Sequence, residues 1–346
     1  MSSRFRLLVF IGSVISSGCV MDSCKNPLVP ASTDGSSEIR SGPEIWIGPN
    51  VASVDYIKMF TDKELWPETF NIISTFQFYS YHLMDGCGQY CGDNSLDNFR
   101  RVEAFRWLTQ NGKGISFEAG SLKHAEHGCD ASVSRLARDA VRAIQNVQAN
   151  GGTVTAISQD WPFYSGELCG YTIDKSAKLV GDYVNIIHGS YSGVEVGLID
   201  GYPGHSFKDI VNIVNSLEEN NIKIPFLHLD FDRRGIQRPG PDPESRFGFN
   251  PDEDFPKMRD YLRNKGIVFG IVIWADGSGS SEEFISDSII SVRIVQNAVG
   301  NNIDRLIFQS WAHAPVTSAK LYPDNLPETK PGTLTWLTNT EGRKFR

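Results

Sequence analysis

The sequence predicts one (β/α)8 barrel, because strand-like and helix-like segments alternate from residue 44 onward. Each strand-like segment is short and apolar and ends in polar or Gly residues, and an amphipathic helical segment follows it. Eight such units in about 270 residues match the number that closes this barrel. An open doubly wound sheet is the alternative, but it would carry a glycine-rich phosphate loop after its first strand, and no G-x-G-x-x-G occurs there.

The strands and helices can be placed from these patterns in chain order. The predicted strands are 44–50, 75–83, 114–120, 154–160, 194–200, 225–232, 268–276 and 305–313. The predicted helices are 63–73, 97–111, 132–150, 175–190, 207–220, 254–265 and 281–298. Several helices end at a glycine, as at Asn111-Gly112, because glycine accepts the left-handed backbone that stops a helix. The Pro-rich tail after Ala314 is expected to pack along the outside of the barrel.

The composition excludes some functions. The chain has 346 residues, of which 40% are hydrophobic, and this suffices for a large core. Its net charge is −8, and it contains no basic block or basic amphipathic stretch. We therefore expect no binding to nucleic acid.

Residues 1–18 have the layout of a secretory signal. Arg4 and Arg6 precede a short apolar run, and small residues follow it. The segment Ser16-Ser17-Gly18-Cys19 is similar to a bacterial lipobox, although Ser16 stands where Leu is usual, and a lipid on Cys19 would be the only membrane contact. A buried N-terminal strand is the alternative. Residues 19–42 then predict a flexible tether and residues 43–346 the barrel domain, in a secreted, periplasmic or outer-surface protein.

The four internal cysteines agree with export. Cys87, Cys91, Cys129 and Cys169 lie in Gly-rich segments, and in an oxidising compartment they would form disulfides that hold loops together. The sequence does not give their connectivity. The spacing of Cys87 and Cys91 is poor for zinc, and we expect neither a bound metal nor a cofactor.

The alternation of side chains along each strand predicts which residues face the barrel axis. In the sixth strand Phe226, His228, Asp230 and Asp232 share one face, and the apolar residues between them share the other. The outer face of a barrel strand contacts apolar helices, so the polar set is expected to face inward. The same argument places these residues inside: Trp46, Asn50, Gln77, Tyr79, Tyr81, Ser116, Glu118, Ser158, Asp160, Asp200, Trp274, Asp276, Gln309, Trp311 and His313.

Carboxylates occupy the last inward position of several predicted strands. They are Glu118, Asp160, Asp200, Asp232 and Asp276, with Asp230 one inward step deeper. Active sites of this fold lie at the carboxyl ends of the strands. Burying several carboxylates together is unfavourable unless they are paired or hydrogen-bonded or bind a cation, so the set predicts a functional site. The alternative that a single member only caps a loop stays open, especially for Asp200-Gly201 and Asp276-Gly277.

Carboxylates with neighbouring aromatic rings suit sugar chemistry, and over most of residues 44–313 the chain resembles secreted TIM-barrel glycoside hydrolases. The resemblance implies that Asp160 is the nucleophile and that Asp230 or Asp232 is the acid. Glu118 is the other candidate acid, because its neighbours Phe117 and Ala119 are apolar. The clan that uses two catalytic Glu residues on strands four and seven fits poorly, since those strands end in Asp160 and Asp276.

Further residues at the strand ends are expected to bind the carbohydrate. The predicted substrate-binding residues are Asn50, Tyr79, Trp161, Asp200, His228, Arg233, Trp274, Asp276, Trp311 and His313. The long segment 233–252 is rich in Pro, Gly and Arg, which is typical of a lid or binding loop. Its arginines Arg233, Arg234 and Arg238 could contact an acidic sugar or a sulfate.

Two other functions remain open from the sequence. In a metal-dependent isomerase, epimerase or lyase on the same barrel, an oxygen-rich site for Mg²⁺ or Mn²⁺ would be formed by Glu118, Asp200, His228, Asp230 and Asp276. His124 and His127 are a weaker metal candidate. In a non-catalytic carbohydrate-binding lipoprotein, the aromatic residues would bind sugar and the carboxylates would not be needed.

Overall fold

Eight parallel strands close into a barrel in the order in which they occur along the chain. The computed structural model describes residues 42–50, 53–86, 91, 93–122, 128–237, 249–275, 280–312 and 323–346. The barrel closes where β1 pairs with β8, with Glu44 opposite Arg305. The predicted fold class is therefore confirmed. The predicted signal and tether, His124 and His127, and Arg238 lie outside the described residues.

Every predicted strand is present. The strands are β1 Glu44–Gly48, β2 Thr75–Tyr79, β3 Gly114–Ala119, β4 Val154–Asp160, β5 Glu195–Tyr202, β6 Phe226–Phe231, β7 Val268–Ala275 and β8 Arg305–Ala312. β2 ends earlier than predicted because a 3-10 turn, Ser80–Leu83, follows Tyr79, so Tyr81 lies outside the strand. β5 continues two residues beyond its predicted end at Asp200.

The helices surround the barrel on its outer face. They are α1 Lys58–Thr61, α2 Pro67–Ile72, α3 Leu96–Arg101, α4 Ala104–Gln110, α5 Val133–Ala149, α6 Pro162–Leu168, α7 Ile173–Ser190, α8 Phe207–Glu219, α9 Pro251–Asn264, α10 Ser281–Val299 and α11 Leu334–Gly342. The predicted helix 97–111 is divided into α3 and α4, because Glu103 has a left-handed backbone with φ of 53°. Side-chain caps such as the Ser206–Asp209 capping box begin several of the others.

The predicted inward and outward faces are confirmed for seven strands. Outward residues such as Phe117, Ile157 and Leu227 belong to the main core, which also contains apolar residues of the helices. Inside the barrel a second cluster fills the axis, and its members are Trp46, Ala156, Phe226, Val272, Trp274 and Ile307. The barrel interior is therefore filled by side chains, and a functional site is expected at the carboxyl ends of the strands.

The prediction for β5 is wrong, because Asp200 faces outward. Its neighbours on the same face, Leu198 and Tyr202, belong to the main core. The inward positions include Gly197 and Gly201, where a Cβ atom would lie 2.4 Å from the ring of Phe226 and 3.0 Å from the ring of Trp161. Large rings from the neighbouring strands thus fill the space in front of β5.

Residues 323–346 pack beside the first helices of the barrel. The Asp55 carboxylate accepts hydrogen bonds from the Asn325 backbone and side chain and from the Leu326 amide. The Glu328 carboxylate accepts bonds from the amides of Glu68 and Thr69 at the start of α2. Two buried acids therefore hold the C-terminal extension against the barrel, where the sequence placed it.

A disulfide joins Cys129 to Cys169, with Cα atoms 5.6 Å apart. It links the turn before α5 to the end of α6, and Cys91 is disulfide-bonded as well. The expectation of disulfides between the internal cysteines is confirmed for these described residues. Within the described part of the chain, no helix combines the length and apolar content that a membrane crossing requires.

Candidate active site at the carboxyl ends of the strands

A cleft of about 1060 Å³ opens at the carboxyl ends of β4, β5 and β6. Aromatic residues of α6 and its flanks, including Trp161, Tyr164 and Tyr171, form one side of it. Asp230 and Asp232 also line it. Two of the predicted carboxylates therefore border a space large enough for a sugar unit.

Trp161 connects two of the strand ends. Its indole Nε1 donates a hydrogen bond to Oδ2 of Asp230 across 3.2 Å. Trp161 has a left-handed backbone, with φ of 52°, immediately after Asp160 and before Pro162 begins α6. This conformation is unfavourable for a residue with a side chain, and proteins retain it mainly where function requires it. Here it directs the indole across Gly201 of β5 to reach β6.

Asp160 is the last residue of β4 and shares the inward face of that strand with Ala156. Only 6% of its surface is exposed. The strand alternation therefore places its carboxylate at the barrel mouth, as predicted.

Glu118 is held by two amide side chains. Gln77 of β2 donates from Nε2 to Oε2 of Glu118 across 3.3 Å, and Gln309 of β8 donates to the same oxygen across 3.0 Å. Donors from two other strands thus fix the orientation of the carboxyl group.

Tyr79 lies beside the carboxylates of Glu118 and Asp160. It is 6% exposed, and its ring stacks on that of Tyr81 with centroids 5.6 Å apart. Burial raises the pKa of the Tyr79 hydroxyl well above its usual range, and the charges of Glu118 and Asp160 add to this effect. The hydroxyl therefore keeps its proton at any ordinary pH and can act as a hydrogen-bond donor at the mouth.

Asp232 occupies a turn just beyond the end of β6. Its Oδ1 accepts a hydrogen bond from the amide of Gly235 across 2.7 Å. The two arginines that follow it contact Asp287 of α10, with Arg233 at 2.8 Å and Arg234 also paired with it. Both arginines hold the β6 loop against this helix. A contact of Arg233 with substrate stays a prediction.

His228 faces the barrel axis but lies deeper than the carboxylates. Its ring stacks on Phe226 with centroids 4.4 Å apart, and Nη1 of Arg305 lies 3.1 Å from its Nε2. Burial, followed by the Arg305 charge, lowers the pKa of His228 well below its usual range. The ring is therefore neutral and packed in the interior.

The remaining predicted residues are placed as follows. Asn50 is fully buried, and its backbone amide donates to Oγ of Ser310 across 2.6 Å. Trp274 belongs to the interior cluster and is 3% exposed. Asp276, His313 and the side chain of Trp311 lie outside the described residues. Their predicted contacts with substrate are not tested.

Sequence reasoning missed His205, which lines the cleft. Its Nδ1 donates to Oδ1 of Asp200 across 2.7 Å, and the same oxygen accepts the amide of Gly201. Burial opposes a charged ring, but the charge and hydrogen bond of Asp200, with the charges of Asp209 and Glu167, outweigh it and raise the pKa of His205 to about 9. A His five residues after a strand-end Asp, across a Pro-Gly turn, was the available signal.

Of the proposed metal ligands, Asp276 lies outside the described residues, and the other four do not all come together. Asp200 faces outward and bonds to His205, while His228 lies deep beside Arg305. Among the described residues, no group of three or more His, Cys, Asp and Glu side chains could hold a metal ion.

Comparison with known proteins assigns no family. No protein-family model and no curated protein matches the chain. Among solved structures, a glucosidase from Croceicoccus marinus matches with 10% identity and a TM-score of 0.46, over 82% of this chain and 63% of its own. A beta-glucosidase from Thermotoga maritima matches with 12% identity and a TM-score of 0.45, over 84% and 87%. The E. coli 3-keto-D-glucoside 4-epimerase YcjR matches with 14% identity and a TM-score of 0.44, over 85% and 98%.

The matched structures have different activities, since a glucosidase and an epimerase both occur among them. The chain spans less than two thirds of the length of the Croceicoccus glucosidase. At these identities and TM-scores the similarities do not distinguish one activity from another. The function has to be argued from the site.

Proposed function

We propose that the protein is an exported glycosidase that cleaves a glycosidic bond of a poly- or oligosaccharide at the barrel mouth. The observation that carries the proposal is the arrangement of Glu118, Asp160 and Asp230 at the carboxyl ends of β3, β4 and β6. Of these, Asp230 lines a cleft with aromatic walls. Glycosidases need two carboxyl groups, one on each side of the scissile bond. Aromatic rings provide apolar surfaces for the C–H faces of a sugar.

Asp160 is the proposed nucleophile and Asp230 the proposed acid. Asp160 is largely shielded from water at the inner face of β4. Asp230 lines the cleft, where a leaving group would lie, and Trp161 holds one of its two oxygens. As the acid, Asp230 would give its proton to the leaving group.

Glu118 and Asp232 fit this reaction less well as acids. Glu118 accepts two amide hydrogen bonds, which suits a carboxylate that orients sugar hydroxyls. Asp232 uses one oxygen in the turn that contains Gly235. Substitutions of Glu118 and Asp232 can therefore be compared with the same substitutions of Asp160 and Asp230.

Export is part of the same proposal. The predicted signal at residues 1–18 directs the chain out of the cytosol, and a protein with a Cys129–Cys169 disulfide suits an oxidising compartment. A lipid on Cys19 would tether the barrel to a membrane. Mass spectrometry of the mature N-terminus from the native host would distinguish lipidation from free secretion.

The test is a turnover screen of the purified protein on plant, algal and microbial polysaccharides and aryl glycosides, with and without EDTA. We expect metal-independent release of sugar that falls by about three orders of magnitude or more in Asp160→Asn and Asp230→Asn. Asp232→Asn is the control at the same strand end and should retain most activity. Activity that EDTA abolishes would support the isomerase or lyase alternative. Sugar binding without turnover would support the carbohydrate-binding lipoprotein.

A further inference from the structure

Asp200 and His205 form a fixed pair in the wall of the cleft. Asp200 is fully buried on the outer face of β5, and its Oδ1 holds Nδ1 of His205. The His205 side chain is 9% exposed and lines the cleft. With Nδ1 bound to Asp200, the ring can offer only Nε2 to a ligand.

Among the residues that the structure describes, none hydrogen-bonds to this nitrogen. The nearest acidic oxygen, Oε2 of Glu167, lies 3.9 Å from Nε2 of His205, which is too far for a hydrogen bond. Glu167 is a mostly exposed residue of α6, whereas Asp200 is buried. The ring is therefore anchored on one side and available on the other.

The charges around the cleft decide which ligand suits it. Four carboxylates line it, and no Lys or Arg is among the described residues that do so; the four are Glu167, Asp209, Asp230 and Asp232. The buried carboxylate of Asp200, which is bonded to Nδ1, balances the positive charge of His205. Arg233 and Arg234, which could have received an acidic sugar, are bound to Asp287. An anionic ligand would meet a net negative surface.

We propose that this cleft is a subsite for an uncharged sugar unit, and that His205 binds it by donating a hydrogen bond from Nε2 to a sugar hydroxyl. The proposal rests on the proposed glycosidase function and narrows its substrate to neutral saccharides. The rings of Trp161 and Tyr164 border the same space and provide apolar surface for the sugar. Uronic acids and sulfated sugars are disfavoured by the four carboxylates.

The protonation of His205 gives the proposal a specific pH signature. The charged groups near the ring are Asp200 of β5, Glu167 of α6 and Asp209 of α8, and the ring of Tyr164 lies 6.2 Å away. The pKa of about 9 keeps Nε2 a donor at neutral pH. Sugar binding should therefore weaken as the pH rises through 9. In Asp200→Asn, the loss of the anion should move that weakening to a lower pH.

The experiment follows the imidazole signals of His205 by NMR in protein labelled at histidine. The probes are the methyl glycosides of glucose, galactose and mannose, each beside its uronic acid counterpart. We expect at least one neutral sugar to shift the His205 signals and its acidic counterpart to bind at least tenfold more weakly. His205→Gln keeps a donor for Asp200 but lacks the imidazole, so its affinity is measured by isothermal titration calorimetry. We expect it to bind the neutral sugar about tenfold to a hundredfold more weakly than the wild type.

Matched variants separate binding from folding. His188→Gln makes the same change in the last turn of α7 and should bind the sugar normally. Glu167→Gln removes one of the four carboxylates that line the cleft and should reduce the discrimination against uronic acids. Tighter binding of any uronic acid than of its neutral counterpart would overturn the proposal, and so would the absence of a His205 response to every probe.

The two proposals can fail separately. If neutral sugars bind at His205 but no saccharide is cleaved, the glycosidase function fails and the subsite remains. If a saccharide is cleaved with Asp160 and Asp230 essential, but His205→Gln changes neither KM nor its pH dependence, only the subsite fails.

Discussion

The indole nitrogen of Trp161 lies 3.2 Å from Oδ2 of Asp230, and this hydrogen bond joins the end of β4 to the end of β6 across the intervening strand. The indole can cross β5 because Gly201 has no side chain at that position. The orientation of one candidate carboxylate therefore depends on a residue adjacent to another, Asp160. The role of this hydrogen bond can therefore be tested without changing Asp160 or Asp230.

Trp161→Phe should lower kcat/KM by about tenfold on the saccharide that the turnover screen identifies. The phenyl ring keeps an aromatic surface in the cleft, but it cannot donate to Asp230, and a hydrogen bond contributes about 0.5–1.5 kcal/mol. Steady-state kinetics and the pH profile of kcat/KM provide the readout. Trp336→Phe, at a half-buried position in α11, is the control and should leave both unchanged. Wild-type kinetics in Trp161→Phe would show that this bond does not position Asp230.

Gly201→Ala should displace the indole of Trp161, because the added methyl group on β5 would press against the ring. The added Cβ atom would lie 3.0 Å from the Trp161 ring, which is closer than such atoms normally approach, so the ring has to move. We expect kcat/KM to fall by about the same factor as in Trp161→Phe, and the double variant to be little worse than either single one. Kinetics of the wild type, the two single variants and the double variant form the cycle. Additive losses would mean that Gly201 acts through something other than Trp161.

The fold could be predicted because the order of apolar and polar residues along the strands indicates which side chains face the barrel axis. Most of the strands alternate between apolar outward and polar or mixed inward residues, which predicts their faces. In β7 the described inward residues, such as Val272 and Trp274, are themselves apolar. β5 misled the prediction because Leu198 and Ile199 are both apolar and the flanking glycines carry no pattern. The polarity of Asp200 suggested the wrong face, since its partner His205 lies outside the strand.

The site could be predicted only in part. The strand ends identified Glu118, Asp160 and Asp230 because parallel strands bring their carboxyl ends to one edge. The bond from Trp161 to Asp230 depends on the left-handed backbone of Trp161, which no local sequence signal indicates. The position of Arg233 against Asp287 depends on packing between a loop and a distant helix. Such contacts join residues that are distant in the sequence, and the residue type at one position does not predict them.

The Cys129–Cys169 disulfide should contribute about 2–4 kcal/mol to the free energy of unfolding. It closes a loop with a sequence separation of 40, and cross-links of that length reduce the entropy of the unfolded chain by this order. Urea unfolding of the Cys129→Ser/Cys169→Ser double variant measures the loss. Because α6 borders the cleft, we also expect weaker sugar binding in this variant. Unchanged stability would mean that the unfolded chain is already compact in this region.

His82 should make the protein sensitive to acid. Its ring is fully buried among Tyr56, Tyr79 and Phe99, and neither ring nitrogen has a hydrogen-bond partner among the described residues.

Burial lowers the pKa of His82 from 6.5 to about 3. The unfolded chain therefore binds a proton that the folded protein does not, and stability falls as the pH decreases from 6.5 to 3. At pH 5 the loss amounts to about 2 kcal/mol. His82→Phe removes this titration, so its free energy of unfolding should fall less between pH 7 and pH 5 than that of the wild type, by about this amount. Tyr56→Phe alters the same cluster without removing a group that titrates in this range, and it should behave like the wild type. Equal acid sensitivity in His82→Phe and the wild type would mean that His82 gains a proton without unfolding the structure around it.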